Sequence, residues 1–190
     1  MLFDLIKAII YGLTQGLTEF LPVSSSGHLV LLHDFLAIDV NNEIAFDVVL
    51  HFGTLLAVLF YFRADILKII KSFFVAGDKE SRKLGIYLAL ATIPAGASGY
   101  FFDDIISTIF RSTLLVAFML VLVGVLFIIS ERVASQKFNL SNIKLSQALI
   151  IGLAQTLALI PGTSRSGITI VVGLFLGLKR EAAARYSGIV

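Results

Sequence analysis

Three long apolar stretches constrain this chain more than anything else in it: Ile44 to Phe62, Leu84 to Phe102 and Thr113 to Ser130. Each approaches the ~20 mostly apolar residues a helix needs to cross a bilayer. Within lipid every backbone polar group must find its partner inside the segment, so a run of this kind forms a helix. Composition agrees, since 57% of the 190 residues are hydrophobic and only 15% are charged, against ~25% charged in soluble domains. The expected fold class is an all-α polytopic integral membrane protein, with residues 1–190 forming a single membrane domain. Cysteine is absent, which removes thiolate chemistry and cysteine-held metals. A formal net charge of +2, with basic residues in short clusters rather than a stripe, gives no reason to expect a nucleic-acid partner. The start, "MLFDLIKAIIYG", has an acidic Asp4, no basic lead and no small-residue cleavage site. It reads as mature protein rather than a signal peptide.

The connections between the spans report sidedness. Arg63, Lys68, Lys71, Lys79, Arg82 and Lys83 lie between the first two, and Arg111 alone lies between the second and third. The positive-inside rule puts the first connection in the cytoplasm and the second outside. The third span then ends inside, beside Arg132, Lys137 and Lys144. Asp103 and Asp104 read as an exposed outer loop. "ILKIIKSFF" in the first connection is either an amphipathic surface helix or an ordinary solvated loop.

The chain also repeats itself. "AIIYGLTQGLTEFLPVSSSG" from Ala8 matches "ALIIGLAQTLALIPGTSRSG" from Ala148, and Gly12, Gln15, Ser24, Ser26 and Gly27 recur as Gly152, Gln155, Ser164, Ser166 and Gly167 at a constant offset of 140. Only the proline slips, from Pro22 to Pro161. Three crossings separate the copies, so two hairpins that enter and leave on one side would enter from opposite faces. The expectation is an inverted-topology repeat with two re-entrant helix hairpins meeting at mid-membrane, repeat one covering about 1–130 and repeat two about 141–190. At the same offset "EAAARYSGIV" aligns with the entry into the first full span, so the C-terminal part of repeat two is expected to be missing.

The repeat carries the polar residues. Gln15 and Glu19 are four apart and share a helix face, while Gly12 and Gly16 form a small-xxx-small pair suited to close approach by another helix. Pro22 ends that helix, Ser24 to Gly27 form a turn, and a new helix starts at once. Pro161 and Gly162 do the same before "TSRSGIT". Two helix N-termini with hydroxyls, facing each other, make an anion site, and Arg165 adds a planar fork of donors suited to phosphate. A charged side chain at the bilayer centre costs ~2.5 to 3.5 kcal/mol on insertion scales, so Glu19 and Arg165 are expected to pair, structurally or around a ligand. His28 is either a satisfied helix-start histidine or a participant, and His33 and His51 read as packing or interfacial residues. Thr169 either back-bonds its own helix or touches a ligand.

"QGLTEFLPVSSSGH" and "PGTSRSGIT" together resemble the two signature motifs of the undecaprenyl-diphosphate phosphatase family of bacterial membranes, the bacitracin-resistance type. The resemblance implies removal of the terminal phosphate from a C55 prenyl diphosphate, yielding the monophosphate carrier of peptidoglycan synthesis. By motif position it makes Glu19, Ser25, His28 and Arg165 the catalytic set, and Gln15, Ser24, Ser26, Gly27, Ser164, Ser166 and Thr169 the substrate-binding set. It also implies a divalent cation, Mg2+ or Ca2+, near Glu19, a site open to the outer face of the cytoplasmic membrane, bacitracin competing for the lipid substrate, and a homodimer. Gln15 stands where the motif also takes glutamate, leaving one carboxylate fewer for metal. Either Ser25 or His28 could be the nucleophile.

The rival is a transporter or flippase of a phosphorylated lipid or small anion, because inverted repeats with broken helices are transporter architecture. Against it stands the asymmetry of the copies: Glu19 and His28 occur only in the first, and Arg165 only in the second.

Overall fold

The computed structural model describes residues 2–36, 43–75, 77–102 and 112–190. Asp103, Asp104 and Arg111 lie outside the described residues. The described chain is mainly helical: α1 Leu2–Thr18, α2 Ser25–Phe35, α3 Glu43–Tyr61, α4 Arg63–Phe74, α5 Lys79–Phe101, α6 Thr113–Val133, α7 Leu145–Gln155, α8 Arg165–Phe175 and α9 Arg180–Ile189. Of these, α3, α5 and α6 are long and apolar enough to cross a membrane, each within a few residues of the stretch expected from sequence.

Local chemistry sets the helix ends. α1 stops before Pro22, which has no N–H to continue the ladder and restricts the residue before it. α2 starts where Ser24 Oγ accepts from the Gly27 amide at 3.2 Å, and α8 starts where Ser164 Oγ accepts from the Gly167 amide at 3.0 Å. These are serine N-caps satisfying an otherwise orphaned donor, at positions 140 apart. α5 begins at Asp78, whose carboxylate accepts from the Ser81 amide at 3.0 Å and its hydroxyl at 2.8 Å. Those donors hold its carboxyl below the usual range. α7 is secured by the Lys144 amide donating to Gln147 Oε1 at 2.8 Å. The stretch left open between loop and surface helix is α4, and it packs on α5. Gly85 makes room there, since a Cβ on it would run into Ile69 and Phe73.

Packing joins α5, α7, α8 and α9 around Leu88, Ile151, Leu174, Leu178 and Tyr186. A smaller cluster of Tyr11 and Leu29 ties α1 to α2, with Phe46 of α3 against it. Large apolar side chains elsewhere face outward, among them Phe60, Phe118 and Val121. An apolar exterior over a partly polar interior is what lipid rather than water requires, and the protein is a membrane protein.

One expectation is corrected. Beyond the chain neighbours and the nearby backbone of α1 itself, no heavy atom among the described residues comes within 4 Å of where a Cβ on Gly12 or Gly16 would sit, so this pair seats no neighbouring helix among them. Close approach occurs in the second copy, where a Cβ on Gly152 would run into the Ala91 main chain of α5. α1 turns a different face inward, the one carrying Tyr11 and Gln15.

Candidate active site

The two helix breaks meet. Glu19 extends α1 by one residue, its amide donating to Gln15 O at 2.9 Å, and its side chain is 13% exposed. Its Oε1 accepts from Arg165 Nη2 of the second break at 2.9 Å. Its Oε2 accepts from Ser25 Oγ at 2.6 Å and from Gln15 Nε2 at 3.0 Å. A second bond crosses between the breaks, from Ser166 Oγ to the Leu21 carbonyl at 3.0 Å. Residues 146 apart in sequence thus share one carboxylate, and the expected opposite-charge pair is present.

The backbone of the breaks differs between copies. Ser24 has φ 65°, whereas the second copy places Gly162 at φ 92°. A left-handed conformation costs a non-glycine residue ~1 to 2 kcal/mol, which glycine avoids. Glycine is required at 162 for space as well, because a Cβ would run into the Val116 main chain of α6. The one-place slip of the proline accompanies this difference.

A cavity of about 150 Å³ opens at the junction, lined by Glu19, Ser24, Ser25, Ser26, His51, Ala158, Thr163, Ser164, Arg165 and Ser166. A cavity of roughly that size takes a benzene-sized group, which suits one phosphate and excludes a prenyl chain. Eight of its ten lining residues can donate a hydrogen bond through a hydroxyl, guanidinium or ring nitrogen before any cap amide is counted, the chemistry an anion needs.

Most of the sequence-derived set is brought together here, and part of it stands aside. Gln15 reaches Glu19 but does not line the cavity, and its Nε2 is also 3.2 Å from Thr54 Oγ1. Gly27 serves the Ser24 cap. Thr169 back-bonds the Arg165 carbonyl at 2.8 Å and lies 2.8 Å from Ser187 Oγ, bracing α8. His28 does not line the cavity, and its Nδ1 donates to the Ser24 carbonyl four residues earlier, at 2.8 Å. Sequence reasoning passed over Thr163 and Ser187 and read His51 as a packing or interfacial residue. His51 of α3 lines the cavity, with Nε2 3.7 Å from Glu19 Oε2. Thr163, 1% exposed, has a hydroxyl with no hydrogen-bond partner among the described residues. Ser187 presents its carbonyl to Arg165 Nη1 at 3.3 Å. The offset offered a signal for Ser187, which falls on Asp47 of repeat one. Nothing local marked His51.

Fold and site together define an integral membrane protein with a serine-lined, donor-rich cavity at the junction of two broken helices. The chain belongs to the bacitracin resistance protein BacA family, whose model matches residues 8–190. It is 51% identical to the undecaprenyl-diphosphatase of Teredinibacter turnerae over 97% of this chain and 71% of that relative. It is 44% identical to the undecaprenyl-diphosphatase of Methanobrevibacter smithii over 98% and 72%. To that of Rubrobacter xylanophilus it is 44% identical over 98% and 71%.

Proposed function

We propose that this chain hydrolyses undecaprenyl diphosphate to undecaprenyl phosphate and inorganic phosphate, recycling the lipid carrier of peptidoglycan synthesis and conferring bacitracin resistance by competing for the same lipid. The observation that carries the reading is the 2.6 Å bond from Ser25 Oγ to Glu19 Oε2 beside Arg165, inside a phosphate-sized cavity. In this reading the terminal phosphate lies between the two breaks, with Arg165 and the serine hydroxyls on its oxygens. Ser25 Oγ attacks phosphorus, its proton passes to Glu19 Oε2, and the bond to the bridging oxygen breaks, releasing prenyl monophosphate. Phosphoryl transfer needs mainly positioning and charge stabilisation, which Arg165 and the capped starts of α2 and α8 supply. His28 keeps the Ser24 turn in shape, and its distance from the cavity lining favours Ser25 as nucleophile.

The two breaks are assigned as re-entrant hairpins of an inverted repeat, supported by the matching serine caps and the three long helices between them. Repeat two is assigned to about 141–190, and the chain spans 71% of the length of its Teredinibacter relative. The basic connection between α3 and α5 supports a multi-pass topology in the bacterial cytoplasmic membrane, with the site open to the outer face. One chain holds both breaks, so a homodimer is compatible with this site and not required by it.

The donor set does not form a resident metal centre. Among the described residues no group of three or more His, Asp or Glu side chains is placed to hold a metal ion, and both oxygens of Glu19 are engaged by Arg165, Ser25 and Gln15. The Mg2+ or Ca2+ implied by resemblance is assigned to the substrate, as a hard cation carried on diphosphate oxygens.

The test is phosphate release from farnesyl diphosphate by the purified chain in detergent, beside Ser25→Ala, Glu19→Ala and Arg165→Ala. Release by the parent and loss of at least ~10²-fold in each variant are expected, the scale of removing one transition-state donor. Undiminished release by Ser25→Ala would sink the serine mechanism.

A further inference from the structure

His51 has the geometry of a base, and we propose that it takes the proton from the water that hydrolyses the phosphorylated Ser25. The inference rests on the phosphatase reading above and adds the group that its second half lacks. His51 Nδ1 sits 2.8 Å from the Asp47 carbonyl. A carbonyl oxygen only accepts, so Nδ1 carries the hydrogen and Nε2 is left with its lone pair. Nε2 faces the cavity, 3.7 Å from Glu19 Oε2, the oxygen that also holds Ser25 Oγ. Backbone orientation of one ring nitrogen with the other aimed at the reacting centre is the arrangement expected of a general base.

Glu19 cannot serve both halves. It accepts the Ser25 proton in the first step and still holds that proton when water attacks, so the water proton needs another acceptor. The charged and titratable groups around His51 are Glu19 from the first break, Arg165 from the second and Asp47 one turn earlier on α3, whose side chain accepts from His33 Nε2 at 3.0 Å. In the second step water attacks phosphorus and the bond from phosphorus to Ser25 Oγ breaks. Oγ recovers its proton from Glu19 Oε2, and the water proton passes to His51 Nε2. The imidazolium forms as the Glu19 carboxylate is regenerated beside it, so the new positive charge gains a partner. The side chain is 41% exposed and lines the cavity, so the imidazolium is not sealed inside the protein and its proton leaves through the cavity. His28 has no comparable access, since it does not line the cavity.

The experiment uses the full chain with farnesyl diphosphate, quenched rapidly and analysed separately for farnesyl monophosphate and inorganic phosphate. The parent is expected to release the two in step. His51→Gln is expected to give a burst of farnesyl monophosphate of about one per site, phosphate release slowed by roughly 10²-fold, and phosphoserine at position 25 by mass spectrometry. The same slow step in His51→Ala is expected to recover with added imidazole. Phosphate release at the parent rate by His51→Gln overturns the proposal, as does absence of the burst and of phosphoserine in both His51→Gln and His51→Asn. Retained turnover by Ser25→Ala is a different failure, because it removes the serine intermediate and with it the reading on which the proposal stands.

Discussion

Thr163 illustrates how the site is prepared for a ligand at the level of one side chain. Its hydroxyl is buried and unpartnered among the described residues while its neighbours are satisfied, and a buried hydroxyl without a partner carries a desolvation cost. A phosphate oxygen would remove that cost. Thr163→Val keeps the shape and deletes only the hydroxyl, so thermal stability in detergent is expected to hold or rise slightly. KM for a prenyl diphosphate is expected to rise by a factor corresponding to ~0.5 to 1.5 kcal/mol. An unchanged KM would place the hydroxyl outside the phosphate contact. Glu19 and Arg165 were legible as candidates because charge is costly at membrane depth, and Ser25 through the motif resemblance. Thr163 and His51 were not, because a threonine in a serine-rich turn and a histidine inside an apolar helix carry no local mark. They become visible only when distant segments enclose a common space.

Among the elements, α1 and α7 descend from the same sequence pattern and pack differently. The glycine of α7 at 152 lies against the α5 main chain, and the corresponding glycine of α1 at 12 meets open space. Sequence reasoning assigned helix approach to Gly12 and Gly16 from their small-xxx-small spacing, whereas contact depends on what stands opposite. Gly152→Val is therefore expected to lower stability by ~1 to 3 kcal/mol through overpacking, read as a drop in the detergent melting temperature. Gly12→Val is expected to leave that temperature within error or raise it, since valine replaces glycine at an open helix position. Equal losses from both substitutions would contradict the packing difference. The helix ends were easier to read. Serine caps, Pro22 and the basic connections act within a few residues of themselves, and α3, α5 and α6 fall close to the expected spans.

Across the whole molecule, the site exists only when both copies are present, because Glu19 and Ser25 come from the first break and Arg165 from the second, 2.9 Å from Glu19 Oε1. Residues 1–140 and 141–190 made as separate chains are expected to show no phosphate release singly, and release when both are made in one membrane. Turnover by residues 1–140 alone would show that the second break is dispensable. The asymmetry of the copies was plain in the sequence, since a glutamate and an arginine at related breaks call for a partner that each copy lacks. By itself the sequence determined the membrane class, the helices, the sidedness signals, the duplicated breaks and most of the polar set. These follow from hydropathy, local capping and the cost of charge in lipid, all of which act along the chain. Only the tertiary structure decided that Glu19 is shared by Arg165, Ser25 and Gln15, that His51 rather than His28 faces the cavity, and that Gly152 rather than Gly12 is a packing contact. Each of those depends on which surfaces come to face one another once the chain is folded or on where a side chain turns within its own helix, and a linear pattern carries no record of either.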